Sequence, residues 1–221
     1  MPFQLHKPRE ISLVLTGIAL LIAAVCVDRR DTEPVFSPYQ DGYTGDEINP
    51  LDRLGYTTRD ERAGRLADAG LYGGPTLPLL LSLDPRARYH YPTVLLLWLQ
   101  TMLLTFSLSS LIKNTVSRPR PYIYNEDWEL ERKLTRKDRA AFISGHAANA
   151  TAGAVLFASL LSAYDNRFSW HARVLATLVA GGTAYLRVKA GKHWITDVTA
   201  GVLLGGGIAG AVVRWHRSEE D

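Results

Sequence analysis

The sequence predicts an all-α fold, a six-helix transmembrane bundle that makes one domain of residues 1–221. Three observations predict it. Apolar residues are gathered into blocks, although the mean hydropathy of the whole chain is close to zero. Three of those blocks approach the roughly 20 residues needed to cross a bilayer. The side chains equipped for chemistry sit at block ends that an alternating chain places on one side of the membrane.

Ile11–Val27, which carries no charge, is the first expected span. Lys7 and Arg9 before it resemble the start of a secretory leader. However, Ala23-Ala24-Val25-Cys26 runs straight into Asp28-Arg29-Arg30 without a convincing cleavage site, so an uncleaved helix is expected. Residues 28–68 read as a long polar loop rich in Asp, Arg, Gly and Pro. Ala69–Leu83 is a shorter second span, residues 84–91 a connector, and the uncharged Tyr91–Ile112 the third span. A second polar loop follows at 113–142, with a short surface helix expected at 126–133. Ile143–Tyr164, in which His146 is the only acidic or basic side chain, is the fourth span. The weaker Val174–Leu186 and Val198–Val213 complete the six. In the last, Gly201, Gly205, Gly206 and Gly210 permit close helix approach. Trp98, Trp170, Trp194 and Trp215, near span ends, read as interfacial anchors.

Composition excludes some classes. The formal charge is +3 and the pI near 9.0, but the basic residues form no stripe, so no nucleic-acid partner is expected. Cys26, the single cysteine, cannot form an intrachain disulfide. The sequence carries no reading of oligomeric state.

Three clusters carry the chemistry. The first is Lys113 with Arg120 and Pro121, the second Ser144-Gly145-His146, and the third Arg187, His193 and Asp197. Lys113 leaves the third span, His146 enters the fourth, and Arg187 and His193 lie between the fifth and sixth. All three therefore fall on one side. A lone histidine at a helix end is usually interfacial or capping, as read for His6, His90, His171 and His216. An aspartate in a first helical turn often merely complements the dipole. The joint occurrence is what points to a site.

Lys-x6-Arg-Pro, Ser-Gly-His and Arg-x5-His-x3-Asp together resemble the signature of the type 2 phosphatidic acid phosphatase (PAP2) superfamily, whose relatives include vanadium haloperoxidases. The resemblance covers roughly residues 91–213, the motif-bearing core, and leaves the loop at 28–68 unexplained. It implies that His193 becomes transiently phosphorylated before water releases phosphate. His193 is the candidate nucleophile, with Asp197 four residues on to accept a ring proton and fix the tautomer. His146 is the candidate general acid. Lys113, Arg120 and Arg187 would hold the non-bridging oxygens, aided by the Ser144 hydroxyl and the Gly145 backbone N–H. This scheme needs no metal and no cofactor, and the cation-rich set is a poor cage for magnesium.

The resulting expectation is an integral-membrane phosphatase removing phosphate from a lipid-linked phosphate or diphosphate of phosphatidate, phosphatidylglycerophosphate, polyprenyl or lipid A type. Two alternatives stand beside it, a vanadate-dependent haloperoxidase and a non-catalytic lipid-phosphate-binding or transport protein. The apolar blocks weigh against the first, and the full set of site residues against the second. A bacterial inner membrane is the expected location. A positive-inside count would put the motif side in the cytoplasm, whereas the resemblance implies the extracytoplasmic face. The sequence departs from the family at Ile143, where proline is usual, and at Leu186, where serine is common.

Overall fold

The computed structural model describes residues 2–30, 48–55, 60–124 and 135–218. The surface helix expected at 126–133 and most of the loop at 28–68 lie outside the described residues. Among those described there are eight α-helices: α1 (Lys7–Arg30), α2 (Pro50–Arg53), α3 (Glu61–Thr76), α4 (Pro85–Tyr89), α5 (Tyr91–Thr115), α6 (Gly145–Tyr164), α7 (Ser169–Lys189) and α8 (Ile195–His216). The fold is all-α, with only isolated β-bridges among the described residues.

Four helices, α1, α5, α6 and α8, are long and apolar enough to cross a membrane, which marks a membrane protein. The other two expected crossings do not meet both conditions. The block Ala69–Leu83 is divided between the end of α3 and a 3-10 segment at Leu77–Leu83. Pro75 and Pro78 supply the local cause, because each lacks the N–H that would continue the α-helical ladder. α3 also begins at Glu61 rather than Ala69, where Asp60 accepts a hydrogen bond from the Ala63 N–H at 3.0 Å. α7 is long enough but carries His171, Arg173, Arg187 and Lys189.

α6 is the axis of the bundle, packed by α3, α5, α7 and α8, while α1 lies outside against α5. Its sequence explains this. The half nearest its N-terminus is a run of small residues, Ala147 to Ala154, almost all fully buried. Backbones therefore approach closely there. A Cβ on Gly205 of α8 would stand 2.0 Å from the Ala148 carbonyl oxygen, and one on Gly153 would stand 2.2 Å from that of Gly74. The large apolar side chains collect in the other half, where Val94, Leu97, Leu156, Leu160 and Val212 form the core. Ile11, Leu15, Ile22, Leu178 and Leu203 point outward, as a lipid-facing surface requires.

The far half is also pinned by a polar contact. Glu10 of α1 accepts from Gln100 Nε2 at 2.7 Å and from His216 Nε2 at 2.6 Å. His216, read from sequence as interfacial, is therefore buried between helices. Trp194 likewise is no interfacial anchor: it is 2% exposed and donates from Nε1 to the Pro119 carbonyl at 2.8 Å.

Candidate active site

Lys113 stands in the last turn of α5, and the chain turns extended at Val116. Residues 118–120 then run beside 138–141. The Arg118 N–H donates to Arg139 O at 2.7 Å, Arg120 N–H to Asp138 O at 2.9 Å, and Ala141 N–H to Arg118 O at 3.1 Å. This pairing, inside what reads as a polar loop, ties the first cluster to the segment entering the second.

Ser144 caps α6, its Oγ accepting from the Ala147 N–H at 3.4 Å. Its own N–H donates to the Asp197 carbonyl at 3.0 Å. The N-termini of α6 and α8 thus lie side by side, and their unsatisfied N–H groups make that corner favourable for an anion. The Lys113 ammonium sits over Gly145, 3.6 Å from where a Cβ would stand. Ile143 is buried beside this corner, and the Phe142–Ile143 peptide is cis.

His193 precedes α8 and is 1% exposed. Its Nδ1 lies 2.8 Å from the Ala141 carbonyl oxygen. A carbonyl only accepts, so Nδ1 carries the proton and Nε2 keeps its lone pair. Nε2 has no partner. This differs from the expected contact. The Asp197 carboxylate is 3.7 Å from Nδ1, beyond hydrogen-bonding distance. One of its oxygens accepts the Trp194 N–H at 2.9 Å and the other accepts from Arg118. The reason is the helix start: α8 begins at Ile195, so His193 and Asp197 do not share a helical face, and Asp197 turns back to cap its own helix.

Burial, with the charges of Arg120, Lys113 and Arg187, pushes the His193 pKa well below the usual 6.5, against the opposing pull of the Ala141 carbonyl. The ring is neutral at physiological pH. Arg187, in the last turn of α7, is 4% exposed. The buried Nε atoms of both Arg187 and Arg120 lack a hydrogen-bond partner. Buried donors without acceptors are costly, and the charges of both arginines reach the neutral His193 ring. A tetrahedral oxyanion fits that set. Among the described residues no group of three or more His, Cys, Asp or Glu side chains is arranged to hold a metal ion.

Two carboxylates and one arginine at this corner went unread in the sequence. Asp52 of α2, fully buried, accepts from Arg118 at 2.6 Å and from the Thr196 N–H and hydroxyl, each at 2.8 Å. Arg118 thereby bridges Asp52 and Asp197. Asp68 of α3 lies 2.9 Å from His146 Nε2. Neither aspartate sits in a spacing pattern; each reaches the site only through the fold.

A family model for the PAP2 superfamily matches residues 94–221. The chain belongs to the PAP2 superfamily. No curated protein and no solved structure matches it. PAP2 membership supports a phosphatase acting on phosphoric esters, in keeping with the four helices long and apolar enough to cross a membrane. The PAP2 match begins inside α5, so the three motif clusters fall within it, while Asp52 and Asp68 come from the segment before it.

Proposed function

We propose that this PAP2 protein hydrolyses a lipid-linked phosphate or diphosphate through a phosphohistidine on His193. The observation that carries the reading is a groove of about 540 Å³ between α3, α5 and α6, walled by Tyr72, Trp98 and Phe106 and ending on Lys113, Gly145 and His146. Its wall is largely apolar and its end is cationic, which suits a substrate whose tail stays in lipid while its phosphate reaches the polar corner.

In the first step the Nε2 lone pair of His193 attacks phosphorus. The P–N bond forms as the bond to the leaving oxygen breaks, and His146 gives that oxygen its proton. With Asp68 2.9 Å from His146 Nε2, Nδ1 is the ring nitrogen left to deliver the proton. Lys113, Arg120 and Arg187 hold the non-bridging oxygens through the charge build-up, with the Ser144–Gly145 corner of α6 behind them. In the second step water attacks phosphorus, His146 takes its proton, the P–N bond breaks, and inorganic phosphate leaves. No step calls for a metal.

In this reading α3 with its 3-10 extension and α7 complete six crossings. Both termini then lie on one side and the catalytic corner on the other, the extracytoplasmic face of a bacterial inner membrane.

The test is phosphate release from a panel of lipid phosphates by detergent-purified protein, with a chelator present, beside His193→Ala. Chelator-resistant turnover that vanishes in the variant supports the mechanism. Equal activity in the variant, or no turnover on any lipid, overturns it.

A further inference from the structure

α7 and α8 both lie along α6 but meet each other only sparsely. A second groove of about 830 Å³ opens between them, larger than the one at the catalytic corner. Its floor includes Val155 and Ala158 of α6, and its walls include Gly181 of α7 and Gly210 of α8. A Cβ on either glycine would meet nothing within 4 Å, so the space is open rather than filled by neighbouring helices.

The groove has direction. Along α8 it runs from Val202 to Arg217, about 22 Å at 1.5 Å per residue. One leaflet with its headgroup layer is roughly 20–22 Å deep. Three arginines, Arg173, Arg214 and Arg217, line it. All three belong to the end of the bundle away from His193: Arg173 near the start of α7, the other two at the finish of α8. They are exposed, and among the described residues none has a carboxylate within ion-pair distance. The helix dipole accounts for cations at the end of α8 but not for one near the start of α7.

We propose that this groove binds an anionic glycerophospholipid of the leaflet opposite the catalytic corner. Its acyl chains lie between α7 and α8, and its phosphodiester headgroup meets the three arginines. The apolar walls call for hydrocarbon at membrane depth, and the cluster of unpaired guanidinium groups calls for an anion at headgroup depth. A zwitterionic lipid carries the same phosphodiester but offsets it with its own cation, so it meets the second demand more weakly. The bound lipid wedges together the two helices that carry Arg187 and Asp197, so it stabilises the folded protein in proportion to its binding.

The experiment adds phosphatidylglycerol or phosphatidylcholine of matched chains to protein in neutral detergent. Bound lipid is counted by native mass spectrometry, and the thermal midpoint is followed in parallel. Neither readout depends on turnover, so the outcome is separate from the phosphatase reading. Phosphatidylglycerol is expected to be retained and to raise the midpoint, with binding roughly tenfold weaker in the Arg173→Gln, Arg214→Gln, Arg217→Gln triple variant. Gly181→Leu with Gly210→Leu, which fills the groove without touching the arginines, is expected to lower retention as well. Equal retention of the two lipids, or undiminished phosphatidylglycerol binding in both variants, overturns the proposal. So does a Thr177→Cys protein that cross-links to a second copy, since that face would then be covered by the protein itself.

Discussion

The Ala141 carbonyl accepts the Nδ1–H of His193 at 2.8 Å, and by doing so leaves Nε2 as the ring nitrogen with its lone pair free. No side chain performs this task. The carbonyl is in place because Arg118 and Ala141 are paired through the backbone, which fastens the first motif to the approach of the second.

The His193 ring should remain neutral well below pH 6.5, the usual histidine value. Nitrogen-15 NMR of the ring is expected to show no titration near that pH, and a midpoint at or above it would sink the assignment. The stability consequence has a definite sign. Below pH 6.5 the unfolded chain takes up a proton that folded His193 refuses, so stability contributed by this residue falls as pH drops from 6.5 towards the folded-state pKa.

The two histidines should fail differently. His193→Ala is expected to abolish turnover and any acid-labile phosphoprotein. His146→Ala should lower kcat by about 10²- to 10⁴-fold, and less for a substrate whose leaving group needs no proton. Rates measured on an activated and an unactivated ester separate the roles; parallel losses in both variants would contradict them.

Asp52 holds Arg118 and Thr196 at the candidate site from outside the family match. Asp52→Asn removes a charged acceptor from Arg118 and should cost about 1.5–3 kcal/mol of stability, with kcat falling more than KM rises. The functional part works through Asp197, so Asp52→Asn should add little further loss in an Asp197→Asn background. Additive losses in the double variant would show that Asp52 acts elsewhere.

Asp68→Ala leaves His146 without its acceptor at 2.9 Å. The expected result is a kcat about tenfold lower at near-constant KM, because orientation and not phosphate binding is lost. A change confined to KM would place Asp68 in substrate binding instead.

Helix packing gives a control independent of activity. Gly205→Ala forces a Cβ to within 2.0 Å of the Ala148 carbonyl, and should cost about 1–3 kcal/mol or more by separating α6 from α8. Gly207→Ala, where nothing lies within 4 Å, should be neutral to slightly stabilising. Thermal unfolding of both variants compares them directly.

The sequence by itself determined the helical class, the apolar blocks that became α1, α5, α6 and α8, and the three motif clusters. All of these are written in local spacing, either as runs of apolar residues or as side chains of fixed type a few positions apart. It did not determine the break at Pro75 and Pro78, where backbone chemistry overrode an apolar run. The ring contact read for Asp197 also failed, because where α8 begins depends on the cap that Asp197 itself supplies. Asp52, Asp68 and the Ala141 carbonyl were decided by tertiary structure alone. Asp52 meets Thr196 across 144 residues of chain, and Asp68 meets His146 across 78. A backbone carbonyl has no residue type to read. Such contacts exist only once small side chains on α6 let α3 and α8 close on it, and no spacing within a segment records that closure.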